Sequence, residues 1–149
     1  MEIQVRQADG YDIEQMAKLV AGRLRGGKRR TPDKKAIAKG LAMMTGSGEE
    51  RAAFIALARE SIVGLVTAQL LISTSEGSLV AVADDLTVMG DNPGDEVGSL
   101  LMKAVHDWGR GLGAQKSYLV RPRADERELP DIARSGWKPT GCELWLHSR

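Results

Sequence analysis

The sequence predicts an α/β (α+β) fold in which a central, mostly antiparallel twisted sheet of about six to seven strands is flanked by about four helices. Runs of apolar residues that alternate with polar ones, or continue unbroken over a short stretch, indicate the strands. Other segments repeat their apolar residues at helical spacing, as amphipathic helices do. The 149 residues and an apolar content of 42% fit a single domain that spans residues 1–149.

The chain is expected to open with a strand and two helices. The segment 3–7 alternates apolar and polar residues, which indicates a strand. Asp9 and Asp12 are N-cap candidates for a first helix, because the apolar residues from 13 to 24 recur at helical spacing. A second helix is predicted over 32–46, between a proline and a run of glycines.

Three strands are predicted in the middle of the chain. They cover residues 52–59, 62–74 and 78–89, where long apolar stretches are separated by short polar turns. Gly64 lies inside the second of these strands, and a glycine in a strand often marks a bulge. This succession of strands without intervening helices is what favours an antiparallel arrangement for this part of the sheet.

The rest of the chain alternates again between helices and strands. An apolar stripe predicts a helix over 97–111, followed by a strand around 118–120. A short helix is expected within 125–135 and a final strand over 142–147. Three tryptophans fall on the apolar faces of these elements and are interpreted as core residues: Trp108, Trp137 and Trp145.

The cysteine content and the hydropathy bear on the compartment. Cys142 is the only cysteine, which excludes an internal disulfide and a multi-cysteine zinc site, and it is interpreted as a small strand residue. No His, Cys, Asp and Glu set has metal-ligand spacing, so no metal site is expected. No apolar run reaches the ~20 residues of a membrane helix, and the first residues lack the order of a signal peptide. We therefore expect a cytoplasmic protein without membrane association.

Positive charge is concentrated in one segment. The net charge is +1, but Arg23–Lys35 carries seven basic residues and one acid. Such a cluster can attract an acidic or phosphate-bearing partner, and it can equally be a solvated connection between two helices. No aromatic residue is interleaved with the charges, so the stacking of a single-strand nucleic-acid binder is missing.

The segment Asp85–Met102 predicts a strand, a glycine-bearing loop and a helix start. A helix start presents unpaired N–H groups and the positive end of a dipole, which makes it a seat for phosphate. Asp95 and Glu96 lie in this loop and would partly fill the seat with negative charge. Two unit charges about 4 Å apart at an effective dielectric of about 20 repel by about 4 kcal/mol. The same acids are also explained as stabilising residues at a helix N-terminus.

This order of elements resembles the GNAT N-acetyltransferase superfamily over nearly the whole chain. DLTV, 85–88, is similar to the family's fourth strand, whose backbone holds the pantetheine arm of acetyl-CoA. The following loop resembles the motif Arg/Gln-x-x-Gly-x-Gly/Ala, with Pro93, Glu96 and Gly98 at the three motif positions. The resemblance implies a GNAT-like fold, acetyl-CoA as co-substrate and pairing into a homodimer. The implied cofactor-binding residues are Leu86, Val88, Gly94, Val97, Gly98 and Ser99.

A transferase of this kind needs a base for the amine proton and a proton donor for the thiolate. Asp84 and Asp85 are neighbours in a strand and are therefore expected to point to opposite faces of the sheet. Asp85 is the predicted catalytic base. Ile132 stands where the family has its tyrosine acid, before Gly136–Trp137, while Tyr11 and Tyr118 are expected to pack.

Three functions follow from these observations. The first is an acyl-CoA-dependent N-acetyltransferase that transfers an acetyl group from acetyl-CoA to a primary amine by direct attack. The second is a catalytically inactive GNAT-fold binding or regulatory module, which the residues at positions 93, 96 and 132 favour together. The third, a nucleic-acid-binding accessory protein, depends only on the Arg23–Lys35 cluster and requires a steep dependence of binding on salt.

Overall fold

The computed structural model describes residues 2–26, 31–90, 94–121 and 134–148. Five strands form one sheet in the order β1-β2-β3-β4-β5; the first four are antiparallel neighbours, and β5 runs parallel to β4. The α/β architecture and the mostly antiparallel sheet are thus confirmed. In chain order the elements are β1 (Ile3–Gln7), a 3-10 turn (Gly10–Asp12), α1 (Ile13–Gly26), α2 (Lys34–Thr45), β2 (Arg51–Ala58), β3 (Ser61–Ser73), β4 (Ser78–Val88), α3 (Gly94–Gly111) and β5 (Ala114–Leu119).

Helices cover both faces of the sheet, which explains why the central strands are apolar on both sides. On β2, Phe54 and Ala56 face a core shared with α3, whereas Ala53 and Ile55 face a core shared with α1 and α2. The two sides are called here the α3 face and the α1 face. Among the described helices, none combines the length and the hydropathy that crossing a membrane requires.

Gly64 lies where α3 packs closely against the sheet. A Cβ atom built there would be 2.7 Å from Cγ1 of Val97 and 3.0 Å from the carbonyl oxygen of Thr87. The pairing of β2 with β3 also shifts by one residue beside it, between Ala56 and Leu57. The predicted bulge is confirmed, and the contact with Val97 supplies the additional reason for a glycine.

Arg6 and Asp12 tie β1 to the start of α1. Two guanidinium nitrogens of Arg6 donate to the two carboxylate oxygens of Asp12 at 2.9 Å each. The backbone N–H of Asp9 also donates to Asp12, while Asp9 accepts from the N–H of Tyr11 as the N-cap of the 3-10 turn. The hydrogen bonds from Arg6 hold the pKa of Asp12 below its usual range, despite the opposing effect of its burial.

We expect the Arg6–Asp12 pair to make folding sensitive to acid. Because the pKa of Asp12 is lowered by folding, its contribution is fully present above the pKa of the unfolded chain and is lost as pH falls through the lower folded value. Arg6→Met should therefore lower the free energy of unfolding at pH 7 more than at pH 3. Urea denaturation at the two pH values measures this, and an equal loss at both would contradict it.

The C-terminal part differs from the prediction. Residues 142–147 form no strand, and Cys142 is exposed, so it is not a packed strand residue. Trp145 is 89% exposed and was wrongly placed in the core, whereas Trp108 and Trp137 do pack against the α3-face core. Leu144 and Leu146 are exposed as well, because none of the described strands is hydrogen-bonded to this segment.

The element count and one tyrosine also require correction. The described residues contain five strands and three α-helices instead of six to seven strands and four helices. The predicted helix over 125–135 lies almost entirely outside the described residues. Tyr11, expected to pack, is 97% exposed because it occupies the middle of the 3-10 turn.

Candidate active site

Strands β4 and β5 part at a fork. Their pairing ends at Ala83 and Leu119, with a last hydrogen bond of 2.8 Å from the N–H of Val120 to the carbonyl oxygen of Ala83. Strand β4 then continues to Val88, and β3 is its only strand partner among the described residues. The other edge of 84–88 therefore presents backbone groups that an extended ligand can pair with, as in β-strand addition.

The start of α3 follows this open edge. In a helix that begins at Gly94, the N–H groups of 94–97 have no intrahelical acceptor and can bind an anion. The side chain of Glu96 is exposed. The side chain of Glu96 can therefore extend into solvent. The sequence alone suggested instead that it fills the phosphate seat at the helix start.

The predicted cofactor-binding residues line this edge mainly through their backbone. Leu86 and Val97 are buried, at 4% and 0% exposure, and Val88 is half-buried, so their side chains belong to the core. Gly98 is buried within the first turns of α3. Ser99 lies further along the helix, where its hydroxyl is 2.8 Å from that of Ser135. The assignment of all six residues to the cofactor stays a prediction: Leu86, Val88, Gly94, Val97, Gly98 and Ser99.

A bulge in β4 marks the base of the fork. Leu65 pairs with Thr87 and Thr67 with Asp84, so β4 has one residue more than β3 over this stretch. Asp85 takes up the bend with a φ of 60°, a left-handed conformation that costs a non-glycine residue about 1–3 kcal/mol. The hydroxyl of Thr87 donates to the carbonyl oxygen of Asp85 at 2.9 Å and helps to hold the bend.

The bulge brings Asp84 and Asp85, the acid pair, to the same face of the sheet. Thr67 lies opposite Asp84, and its hydroxyl is 2.9 Å from Oδ2 of Asp85. Arg23 of α1 approaches Oδ1 of Asp85 at 3.5 Å. The prediction of opposite faces is therefore wrong, because it assumed a regular strand and the bent backbone at Asp85 interrupts the alternation.

The two carboxyl groups are in different electrostatic environments. Asp85 is held by Arg23 and Thr67, which engage both of its oxygens. Partial desolvation, and next the charge of Asp85, raise the pKa of Asp84 above its usual range, although the residue is exposed at the surface. A hydrogen bond from the Asp85 N–H and the charge of Arg23 oppose this rise with smaller effects. A carboxylate with a raised pKa is a better proton acceptor, so Asp84 has the properties of a general base.

Arg23 and Thr67 were not identified as site residues from the sequence. Arg23 was counted with the basic cluster, yet its side chain is only 21% exposed and its Nε is buried without a hydrogen-bond partner in the described part of the chain. Its position three residues after the buried Val20 places it on the inward side of α1. The spacing from Val20 could have identified Arg23, and the presence of a threonine within the apolar strand β3 could have identified Thr67.

Arg121 is a third residue that was not identified from the sequence, and it lies one position beyond the last hydrogen bond of the fork. Both terminal nitrogens of its guanidinium, Nη1 and Nη2, are buried, and neither has a hydrogen-bond partner in the residues that the structure describes. A buried donor without an acceptor costs about 1–3 kcal/mol, and more where the group is charged. Arginine Nη groups in this condition call for an acceptor that the described residues do not supply.

Other chemically capable groups lie away from the fork. His106 of α3 has its Nδ1 3.0 Å from the hydroxyl of Ser117 on β5. Two open clefts of about 570 and 470 Å³ lie beside α3 and β1, and neither is lined by the acid pair or by Arg121. The fork is the place where an open strand edge, a helix start and a proton acceptor occur together.

Several solved structures that share this fold are acetyltransferases. The structure of ribosomal-protein-alanine N-acetyltransferase from Brucella melitensis biovar Abortus 2308 matches with a TM-score of 0.77, 18% identity and 99% coverage of both chains. An aminoglycoside acetyltransferase from an uncultured soil metagenomic sample, in complex with sisomicin, matches with a TM-score of 0.69, 21% identity, and coverage of 99% of this chain and 94% of that one.

Another structure with this fold is named as a transcriptional regulator and not as an acetyltransferase. A transcriptional regulator from Bacillus halodurans C-125 matches with a TM-score of 0.83 and 20% identity, over 99% of this chain and all of that one. No protein-family model and no curated protein sequence matches the chain. The chain has the GNAT fold, as its sequence indicates, and is distant in sequence from these structures.

Proposed function

We propose that the chain is an acyl-CoA-dependent N-acetyltransferase, which transfers an acetyl group from acetyl-CoA to a primary amine by direct attack. The observation that carries this proposal is the fork between β4 and β5, with the acid pair at its base. The fold shared with acetyltransferases supports it. Residues 1–149 act in this proposal as one acyltransferase domain, located in the cytoplasm.

The residues of the fork fit an acyl-CoA. The free edge of 84–88 offers backbone donors and acceptors to the amides of the pantetheine arm, and the N–H groups of 94–97 offer a seat for the diphosphate. Glu96 is exposed, so its side chain can extend away from this seat. When bound, acetyl-CoA supplies an acyl group activated as a thioester.

The acid pair removes the proton from the attacking amine. Asp84 accepts the proton as the nitrogen attacks, because its raised pKa makes it a better proton acceptor than an ordinary carboxylate. Asp85, the base predicted from the sequence, instead holds the bulge through Thr67 and Arg23 and raises the pKa of Asp84 by its charge. The predicted proton donor position, Ile132, lies outside the described residues.

The acceptor is proposed to enter from the α1 face, where both carboxyl groups lie. Arg23 and Arg25 at the end of α1, with Lys34 and Lys35 at the start of α2, give this entrance a positive charge. An acceptor amine with a carboxylate or phosphate nearby suits such an entrance. A homodimer is implied by the family resemblance alone, and light scattering measures it.

The test is turnover with acetyl-CoA and a panel of amines, read by mass spectrometry of the acetylated product. The panel contains an N-terminal peptide, an amino sugar, and small amines with and without an acidic group. Because Cys142 is an exposed thiol, an assay of released CoA with a thiol reagent requires the Cys142→Ser variant. Binding of acetyl-CoA without acetylation of any amine would contradict the enzyme and indicate a binding module.

Glu96→Gln should change the Kd for acetyl-CoA by less than about threefold, because the charge of an exposed side chain is screened by water and salt. If Glu96 filled the phosphate seat, its replacement would instead tighten binding by tenfold or more, as the Coulomb estimate at about 4 Å requires. Calorimetric titration of the variant and of the wild type in the same buffer separates the two results.

A further inference from the structure

We propose that Arg121 binds an oxyanion of the acyl donor, either a phosphate of CoA or a carboxylate at the end of the acyl group. This inference rests on the proposed function and adds a binding residue to it. Its basis is the pair of buried guanidinium nitrogens, Nη1 and Nη2, that have no partner in the described part of the chain. Two parallel N–H groups of this kind match the two oxygens of a carboxylate or phosphate.

The position of Arg121 connects this guanidinium to the fork. The N–H of Val120 makes the last hydrogen bond between the two strands, to the carbonyl oxygen of Ala83, so Arg121 follows at the point where they separate. Leu119, two residues earlier, packs against the α3-face core. Continued alternation along the extended chain directs Arg121 toward that same face, away from the acid pair.

A position on the α3 face keeps the bound oxyanion apart from the carboxylates. Asp84 and Asp85 lie on the α1 face with Arg23, which pairs with Asp85. An amine approaching from the α1 face and an oxyanion held from the α3 face can therefore occupy the fork together. The five residue steps from Ala83 to Val88 span roughly 16 Å, so the helix start and Arg121 are separate binding positions.

The seat at the helix start suits the diphosphate, which leaves two groups for Arg121. One is the phosphate on the ribose of CoA, which reaches Arg121 if the nucleotide folds back toward the fork. The other is a carboxylate at the end of an acyl group such as succinyl, whose thioester carbon lies beside the acid pair. Both groups are oxyanions and both would satisfy Nη1 and Nη2 together.

The binding experiment uses Arg121→Met and, as a matched control, Arg110→Met, which removes an exposed arginine from α3. Each variant and the wild type are titrated calorimetrically with acetyl-CoA, succinyl-CoA, acetyl-pantetheine and succinyl-pantetheine. We expect Arg121→Met to weaken at least one oxyanion-bearing ligand by about 10- to 100-fold, as loss of a charge-assisted bidentate contact does. The control should leave all four affinities unchanged.

The pattern of losses distinguishes the sources. A loss with both CoA ligands and neither pantetheine ligand assigns a phosphate, and a loss confined to the succinyl ligands assigns the acyl carboxylate. A loss that includes acetyl-pantetheine, or no loss at all, overturns the proposal. Failure of the wild type to bind any of the four ligands would instead contradict the proposed function.

A second readout needs no ligand. Because two buried nitrogens of the Arg121 guanidinium have no partner in the described part of the chain, Arg121→Met should leave the Tm of the ligand-free protein unchanged or raise it. An arginine with a purely structural role would lose stability on the same change. A Tm that falls well below that of Arg110→Met would therefore overturn the proposal independently of the titrations.

Discussion

Asp84→Asn is expected to lower kcat for amine acetylation by about 10²- to 10⁴-fold, the usual contribution of a general base. Asparagine keeps the shape of the side chain and cannot accept a proton. The affinity for acetyl-CoA should stay close to that of the wild type, because the strand edge proposed to bind it is a backbone feature. Product formation followed by mass spectrometry under saturating acetyl-CoA measures the loss.

The pH profile identifies which acid is the base. The rate should rise with pH as Asp84 loses its proton, and this limb is displaced to higher pH because partial desolvation and the charge of Asp85 raise the pKa of Asp84. In Asp85→Asn one of those causes is removed, so the pKa of Asp84 falls and the limb moves to lower pH. A weakly basic acceptor, such as an aromatic amine, keeps protonation of the acceptor from masking the shift.

The reverse result for Asp84→Asn and Asp85→Asn would assign the general base to the other carboxyl group. If Asp85→Asn abolished turnover while Asp84→Asn retained it, Asp85 would be the proton acceptor, as the sequence suggested. Thr67→Val is the companion variant, since it removes a hydroxyl that is 2.9 Å from Oδ2 of Asp85 and 3.2 Å from the backbone carbonyl oxygen of Asp84, while both carboxyl groups are retained. It should lower the rate less than Asp84→Asn does, because Asp84 keeps its place beside the fork.

Gly64→Ala is expected to lower the free energy of unfolding by about 1–3 kcal/mol, the usual cost of an added methyl in a tightly packed core. The new Cβ would lie 2.7 Å from Cγ1 of Val97 and 3.1 Å from Cδ1 of Leu101, so α3 has to move away from β3. The helix start belongs to the proposed phosphate seat, and the affinity for acetyl-CoA should therefore fall as well. Urea denaturation and calorimetry measure the two effects.

Gly40→Ala is the matched control for this change. Gly40 lies in α2, is exposed, and a Cβ there would meet nothing within 4 Å. Because alanine is a better helix former than glycine, the control should gain up to about 1 kcal/mol. Gly64→Ala variants as stable as the wild type would show that α3 does not lie against β3 as described.

Much of the fold could be predicted because burial on two faces gives strong patterns. Strands β2 to β4 were found from continuous apolar runs, and α1 and α3 from apolar residues at helical spacing. The strand predicted over 142–147 was wrong, since local alternation does not provide a neighbour to pair with. Leu144, Trp145 and Leu146 are consecutive and exposed, which alternation between two faces does not describe.

The site was predictable in outline and not in detail. The open edge and the helix start were located through residues 85–98, because their order in the chain sets their order in space. The shared face of Asp84 and Asp85 was missed, because it depends on the extra residue in β4 relative to β3. Arg121 gave no signal in the sequence, since only the folded chain buries its guanidinium nitrogens.

The first experiment is calorimetric titration of the purified protein with acetyl-CoA, with free CoA and desulfo-CoA as controls for the contribution of the sulfur. A fork that holds the pantetheine arm, next to a helix start that holds the diphosphate, predicts a Kd in the micromolar range. No heat and no thermal shift at millimolar acetyl-CoA would contradict the proposed acyltransferase and leave a GNAT fold without its co-substrate.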